Sequence, residues 1–90
     1  MIPAKKLLNT LNEHWGVLEL LFKRFKMADF SIKDLQNAIK QKQPTWNNER
    51  IYKETNRLLN QEIIIPLAKS SQLEINRAVA DFATFLLQEE

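Results

Sequence analysis

One glycine, Gly16, and three prolines are spread over 90 residues. A chain with so few points at which to turn sharply or interrupt a hydrogen-bonded run is committed to helices joined by short connections. No linker, internal repeat or low-complexity tract divides it, and an apolar content of 44% suits a single domain over residues 1–90, near the lower size limit for a self-sufficient core. A pocket walled on every side is hard to build at this size, which favours a binding or interaction module over an enzyme. The longest apolar run, Ile63 to Ala68, contains Pro66 and falls far short of the roughly 20 residues that span a bilayer. The first residues, "MIPAKKLLNTLNEHW", lack the apolar stretch and small-residue cleavage site of a secretion signal, and the absence of cysteine excludes disulfides and thiolate chemistry. A cytoplasmic location is the expectation.

Leu7, Leu11, Trp15, Leu18, Phe22 and Phe25 recur at helical spacing and predict a first helix over about 4–27. Gly16 lies inside it, so either a neighbouring backbone approaches there or the helix breaks near His14. A second helix begins at Ser31, with Asp34 completing a capping box and Phe30 placed to staple against Leu35, and ends before Pro44 near Lys42. Asn47 caps a third helix over about 48–61. Trp46, just before that cap, is read either as a staple on Ile51 or as an exposed contact residue. "EIIIPL" reads as a strand with Pro66 at an edge or end. Residues 72–76 are then either a second strand, with Leu73 and Ile75 on one face, or the start of a final helix capped by Ser71 and Glu74. Val79, Phe82, Phe85 and Leu86 mark a last helix over about 77–89.

The expected fold is therefore mainly α with a small β-hairpin, in the order ααα-β-β-α. That order resembles the winged helix-turn-helix superfamily across about residues 15–88. "FSIKDLQNAI" stands as its second helix, "NNERIYKETNRLLNQE" as its third and "IIIPLAKSSQLEI" as strand, wing tip and strand. The closing "LEINRAVADFATFLL" is similar to the strand and helix that finish such domains in transcription regulators and in the kleisin subunit of bacterial condensin-type complexes. Where the superfamily often has glycine before the strand this chain has "LLNQEI", and Asn60 is expected to take the left-handed conformation there.

Charge is asymmetric: residues 1–45 hold eight Lys/Arg against four Asp/Glu, and residues 46–90 hold five against seven. This permits a nucleic-acid partner without requiring one. At 100° per residue the third helix places Ile51, Thr55, Leu58 and Glu62 on one side, with Tyr52 and Leu59 lateral to them. Glu49, Lys53, Asn56, Arg57 and Asn60 lie opposite, with Arg50 at the margin. The resemblance implies double-stranded DNA as partner, with this helix in the major groove and Asn48, Arg50, Lys53, Asn56 and Arg57 as its contacts. It also implies phosphate contacts from Lys69 at the wing tip and Lys33 at the start of the second helix. Against this, Glu49, Glu54 and Glu62 balance the cations within the same helix, as on an ordinary solvated face or a protein contact. "FKRFK" at 22–26 is a second basic site, read either as cations that favour the negative end of the first helix or as an additional phosphate contact.

His14 is the lone histidine and sits beside Trp15, which reads as a surface or half-buried position and not a catalyst. With no second histidine at metal spacing, neither a metal nor a cofactor is expected. Leu7, Leu8, Leu11, Phe82, Phe85 and Leu86 on the terminal helices offer more apolar surface than a small helical core needs. Such a surface suits a homodimer or another protein subunit.

Overall fold

The computed structural model describes residues 4–26, 29–68 and 70–88. Seven elements follow in order: α1 (Ala4–Glu13), α2 (Trp15–Phe25), α3 (Ile32–Lys42), α4 (Asn48–Asn60), β1 (Ile64–Pro66), β2 (Leu73–Ile75) and α5 (Arg77–Gln88). The fold is mainly helical with one antiparallel hairpin, as expected, but the order is αααα-ββ-α because the long first helix is divided.

The division falls at His14, whose φ of −108° and ψ of 17° lie in the sparsely allowed bridge region. The backbone ladder nevertheless runs through the joint, with His14 N donating to Thr10 O and Leu18 N donating to His14 O, each at 3.0 Å. This is a kink and not a loop. Gly16 does not cause it by close packing: a Cβ built there first meets the Lys42 side chain at 3.5 Å, an ordinary contact.

Ser31 caps α3 as the sequence predicts. Its hydroxyl accepts from Asp34 N at 3.0 Å and its own N–H donates to the Asp34 carboxylate at 3.0 Å. Asn47 caps α4 by accepting from Arg50 N at 2.8 Å. At the far end of α4, Ile63 N donates to Leu58 O and Glu62 N donates to Leu59 O, the paired bonds of a Schellman motif. The left-handed residue of that motif is Glu62, with φ of 59°, and not Asn60, which remains helical.

The hairpin pairs Ile64 with Ile75, Ile65 with Glu74 and Pro66 with Leu73, which settles residues 73–75 as a strand. Pro66 has no N–H to give, and Leu73 does not require one from it: Leu73 exchanges both of its backbone bonds with Phe30, at 2.9 and 2.7 Å. Phe30 thus ties the start of α3 to the hairpin. Asn76 joins hairpin to helix, since its Nδ2 donates to Glu62 O at 2.8 Å while its Oδ1 accepts from Ala78 N at 3.0 Å and caps α5.

Leu18 and Leu21 from α2, Leu35 and Ile39 from α3, Leu58 from α4, and Phe30, Ile63 and Ile64 from the connections and hairpin close the core. Leu11 and Val79 add the terminal helices to it. The core therefore fixes α3 against α4, and residues of both helices line a cleft between them.

Candidate nucleic-acid interface

α3 and α4 are each anchored by a capped N-terminus and a fully buried leucine, so the side chains between them are held by rigid backbone. Along α4, Ile51, Thr55 and Leu58 face inward as the helical spacing predicts. Tyr52 does not share their side: it is 62% exposed.

The predicted contact residues divide into separate environments. Asn48 and Lys33 are exposed and line the same cleft between α3 and α4, together with Gln36, Asn37, Lys40, Ile51 and Tyr52. Lys53 is exposed on the other flank of α4, in a hollow shared with Thr45, Trp46, Asn47, Glu49, Arg50 and Glu54. Arg50 is exposed, and its guanidinium carbon lies 4.2 Å from the centre of the Trp46 ring, a cation–π stack. Trp46 itself is half-buried against the core, which favours the staple reading while leaving a face for Arg50. Asn56 is half-buried. Lys69 lies outside the described residues.

Arg57 is committed within the chain. Its Nη1 donates to Glu13 Oε2 at 2.6 Å and to Glu54 Oε1 at 3.3 Å. The hydrogen bond from Arg57 holds the Glu13 carboxyl below the usual glutamate range, and the bond to Glu13 raises the guanidinium in turn. Glu54 also accepts from His14 Nε2 at 2.8 Å. His14 is 2% exposed, which corrects the surface or half-buried reading: the kink turns its ring inward, edge-on to Trp46 at 6.3 Å. Ligand atoms of Glu13, His14 and Glu54 lie within 4.8 Å of one another, but the Arg57 guanidinium stands between the two carboxylates and supplies the positive charge a metal would bring.

The apolar residues of the terminal helices also separate. Leu11 is buried and Leu7 half-buried in the core, whereas Leu8, Phe82 and Phe85 are 56%, 43% and 60% exposed. Leu8 and Phe82 meet in a hollow with Leu11, Asn12 and Trp15. Leu86 lies in α5, its side chain outside the described part. In the basic run at 22–26, Lys23 pairs with Glu19 at 2.9 Å and Arg24 reaches Gln41 at 3.5 Å. Among the described residues no helix is long and apolar enough to cross a membrane.

Sequence reasoning missed Gln36, Asn37, Lys40 and Tyr52 as members of the α3–α4 surface. A signal was present on α3, where Lys33, Gln36 or Asn37, and Lys40 recur at steps of three and four, the spacing of a single helical face. For Tyr52 there was none, because its helical angle places it at the edge of the buried stripe.

These features define a small helical domain with a hairpin, a polar surface on α3 and α4, and an apolar surface on α1 and α5. Over residues 1–90 the chain matches the family described as "Putative Mks condensin complex protein MksB", and it belongs to that family. No curated protein and no solved structure matches it.

Proposed function

We propose that this chain is a non-catalytic, double-stranded DNA-binding component of a genome-maintenance complex of the condensin type. It acts in the cytoplasm as a winged-helix homodimer, with α4 directed at the major groove. The family description supports the complex, and the surface of α3 and α4 supports the DNA contact. The carrying observation is that Asn48 and Lys53 on α4 and Lys33 on α3 are all solvent-exposed on two helices locked together by the core. Lysines and amides projecting from such a pair are the groups that hold phosphates and read base edges.

A second reading, a protein-interaction module without DNA contact, is favoured by the exposure of Leu8, Phe82 and Phe85 and by the engagement of Arg57 with Glu13 and Glu54. Fluorescence anisotropy on a random-sequence duplex separates the two. Binding that weakens with a logarithmic salt slope of about −3 to −5, and is reduced in an Asn48→Ala/Lys53→Ala variant, supports several neutralised phosphates at this surface. No binding at low salt rejects the DNA reading and leaves the protein-interaction module.

A further inference from the structure

We propose that the cleft between α3 and α4 is a clamp for the phosphate backbone of duplex DNA, and that it, more than the outer face of α4, sets affinity. The inference rests on the DNA-binding reading and names the residues that carry it.

The argument begins with charge. Glu49 and Glu54 share the outer hollow of α4 with Arg50 and Lys53, so two carboxylates offset its two cations. Arg57 alongside is held by Glu13 and Glu54. A phosphate approaching that side meets little net positive charge, and recruiting Arg57 requires breaking a 2.6 Å ion pair. The cleft is different: Lys33 and Lys40 bring two positive charges, and no carboxylate lines it.

The remaining polar groups suit the same ligand. Gln36, Asn37 and Asn48 are amides, and Tyr52 is an exposed phenol at the lip. All four side chains donate hydrogen bonds, and with lysine they belong to the set that binds phosphate and sugar oxygens. Lys40 Nζ already donates to Trp46 O at 2.8 Å, which fixes the ammonium near the cleft while leaving its other N–H groups to give. The cleft has no arginine fork to read guanine and is concave, so it fits a ridge of backbone and not the floor of a groove. Binding through it is independent of base sequence.

The test measures the salt dependence of duplex binding by the whole chain, using A·T-rich and G·C-rich duplexes of equal length. Lys33→Ala should lower the slope of log affinity against log salt by about 1, the value for one phosphate contact. Lys33→Glu with Asn37→Asp should weaken binding at low salt by about tenfold or more, and Tyr52→Phe by a smaller factor, with both duplexes affected equally. Lys53→Ala should change affinity by less than Lys33→Ala. Far-ultraviolet circular dichroism identifies a variant that has lost its fold, and Lys40→Arg preserves the bond to Trp46 where Lys40→Ala would not. Unchanged slopes in the cleft variants, or binding abolished by Lys53→Ala alone, overturn the clamp and leave the DNA reading standing. A preference for one duplex that is lost in the cleft variants likewise overturns it, because it would place base reading in the cleft. A wild-type chain that binds neither duplex at low salt removes the DNA reading and the clamp with it.

Discussion

His14 Nε2 lies 2.8 Å from Glu54 Oε1 across 40 residues of sequence, joining the α1–α2 kink to the middle of α4. His14 is 2% exposed and the Glu54 side chain 13%, so water replaces little of what either partner loses. Removing one partner leaves a buried polar or charged group unsatisfied, which is more costly than the pair's own net worth. His14→Ala, which also opens a cavity beside Trp46, should destabilise the fold by about 2–4 kcal/mol. A double-mutant cycle with Glu54→Ala, read by denaturant unfolding, should give a coupling of about 1 kcal/mol or more. Strict additivity would show that the contact contributes no coupling to stability.

Glu13 supplies a pH dependence whose sign follows from its partner. The hydrogen bond from Arg57 depresses the carboxyl in the folded chain, so the unfolded state binds more protons in acid. This contribution is fully present above the unfolded glutamate value and is lost as pH falls through the depressed folded one. Arg57, raised by the same contact, stays charged until far into alkali and adds no dependence in the ordinary range. Glu13 is half-exposed, so the effect is small. Thermal unfolding of wild type and Glu13→Gln from about pH 6 to pH 3 should therefore show the variant losing less stability in acid. Equal acid limbs would show that the pair does not couple to folding.

Glu62 occupies the left-handed position that ends α4, with φ of 59°. A side chain there is crowded against the following carbonyl, a strain glycine lacks. Its side chain is exposed, and it is the main-chain oxygen that accepts from Asn76. Glu62→Gly should raise stability by about 0.5–1 kcal/mol, or a few degrees in Tm for a chain of this size. A fall in Tm would mean that the lost backbone entropy of the unfolded glycine chain outweighs the relieved strain.

The features visible in the sequence are those whose causes are local. Ser31 with Asp34, and Asn47 before α4, are caps whose partners lie three residues away, and the hairpin follows from a β-branched run and the need to pair it. The kink at His14 was one of two local readings of Gly16. What could not be seen depends on α1 meeting α4: Arg57 is recruited by Glu13 from 44 residues away, and His14 is buried by Glu54 and Trp46 from elements the sequence places far from it. Those contacts also alter the candidate site. Helical periodicity gave Arg57 and Lys53 the same outward angle and each a glutamate within its own helix, yet only the folded chain brings Glu13 onto Arg57. Asn60 and Glu62 were inseparable for a related reason, since the left-handed residue is set by where α4 must stop for Ile63 to enter the core.

Asn76 stands between hairpin and last helix and serves both. Asn76→Ala removes the cap on Ala78 N and the bond to Glu62 O together. The expected cost is about 1–2 kcal/mol, at the upper end for a helix cap because two interactions are lost. Asn76→Asp keeps the cap acceptor but cannot donate to Glu62 O, so it should recover part of the loss in the same denaturant titration. Full recovery would assign the whole effect to capping.

Phe85 and Leu8 carry the remaining prediction, because they present apolar surface that the described chain does not cover, at 60% and 56% exposure. Leu11 and Leu7, read from sequence as part of the same surface, instead pack in the core, so among the described residues of α1 and α5 it is the outer rows that can meet a second protomer. A two-fold contact uses each such residue twice, and burying one large apolar side chain is worth about 1.5–3 kcal/mol. Phe85→Ser should therefore weaken a dimer by about tenfold or more while changing the stability of the monomer by no more than about 0.5 kcal/mol. Sedimentation equilibrium of wild type and variant over a concentration series reads the first effect, and denaturant unfolding at low concentration reads the second. A wild type that stays monomeric at about 100 μM, weaker than most specific homodimers, would reject self-association through this face. A dimer unaffected by Phe85→Ser and by Leu8→Ser would move the interface elsewhere.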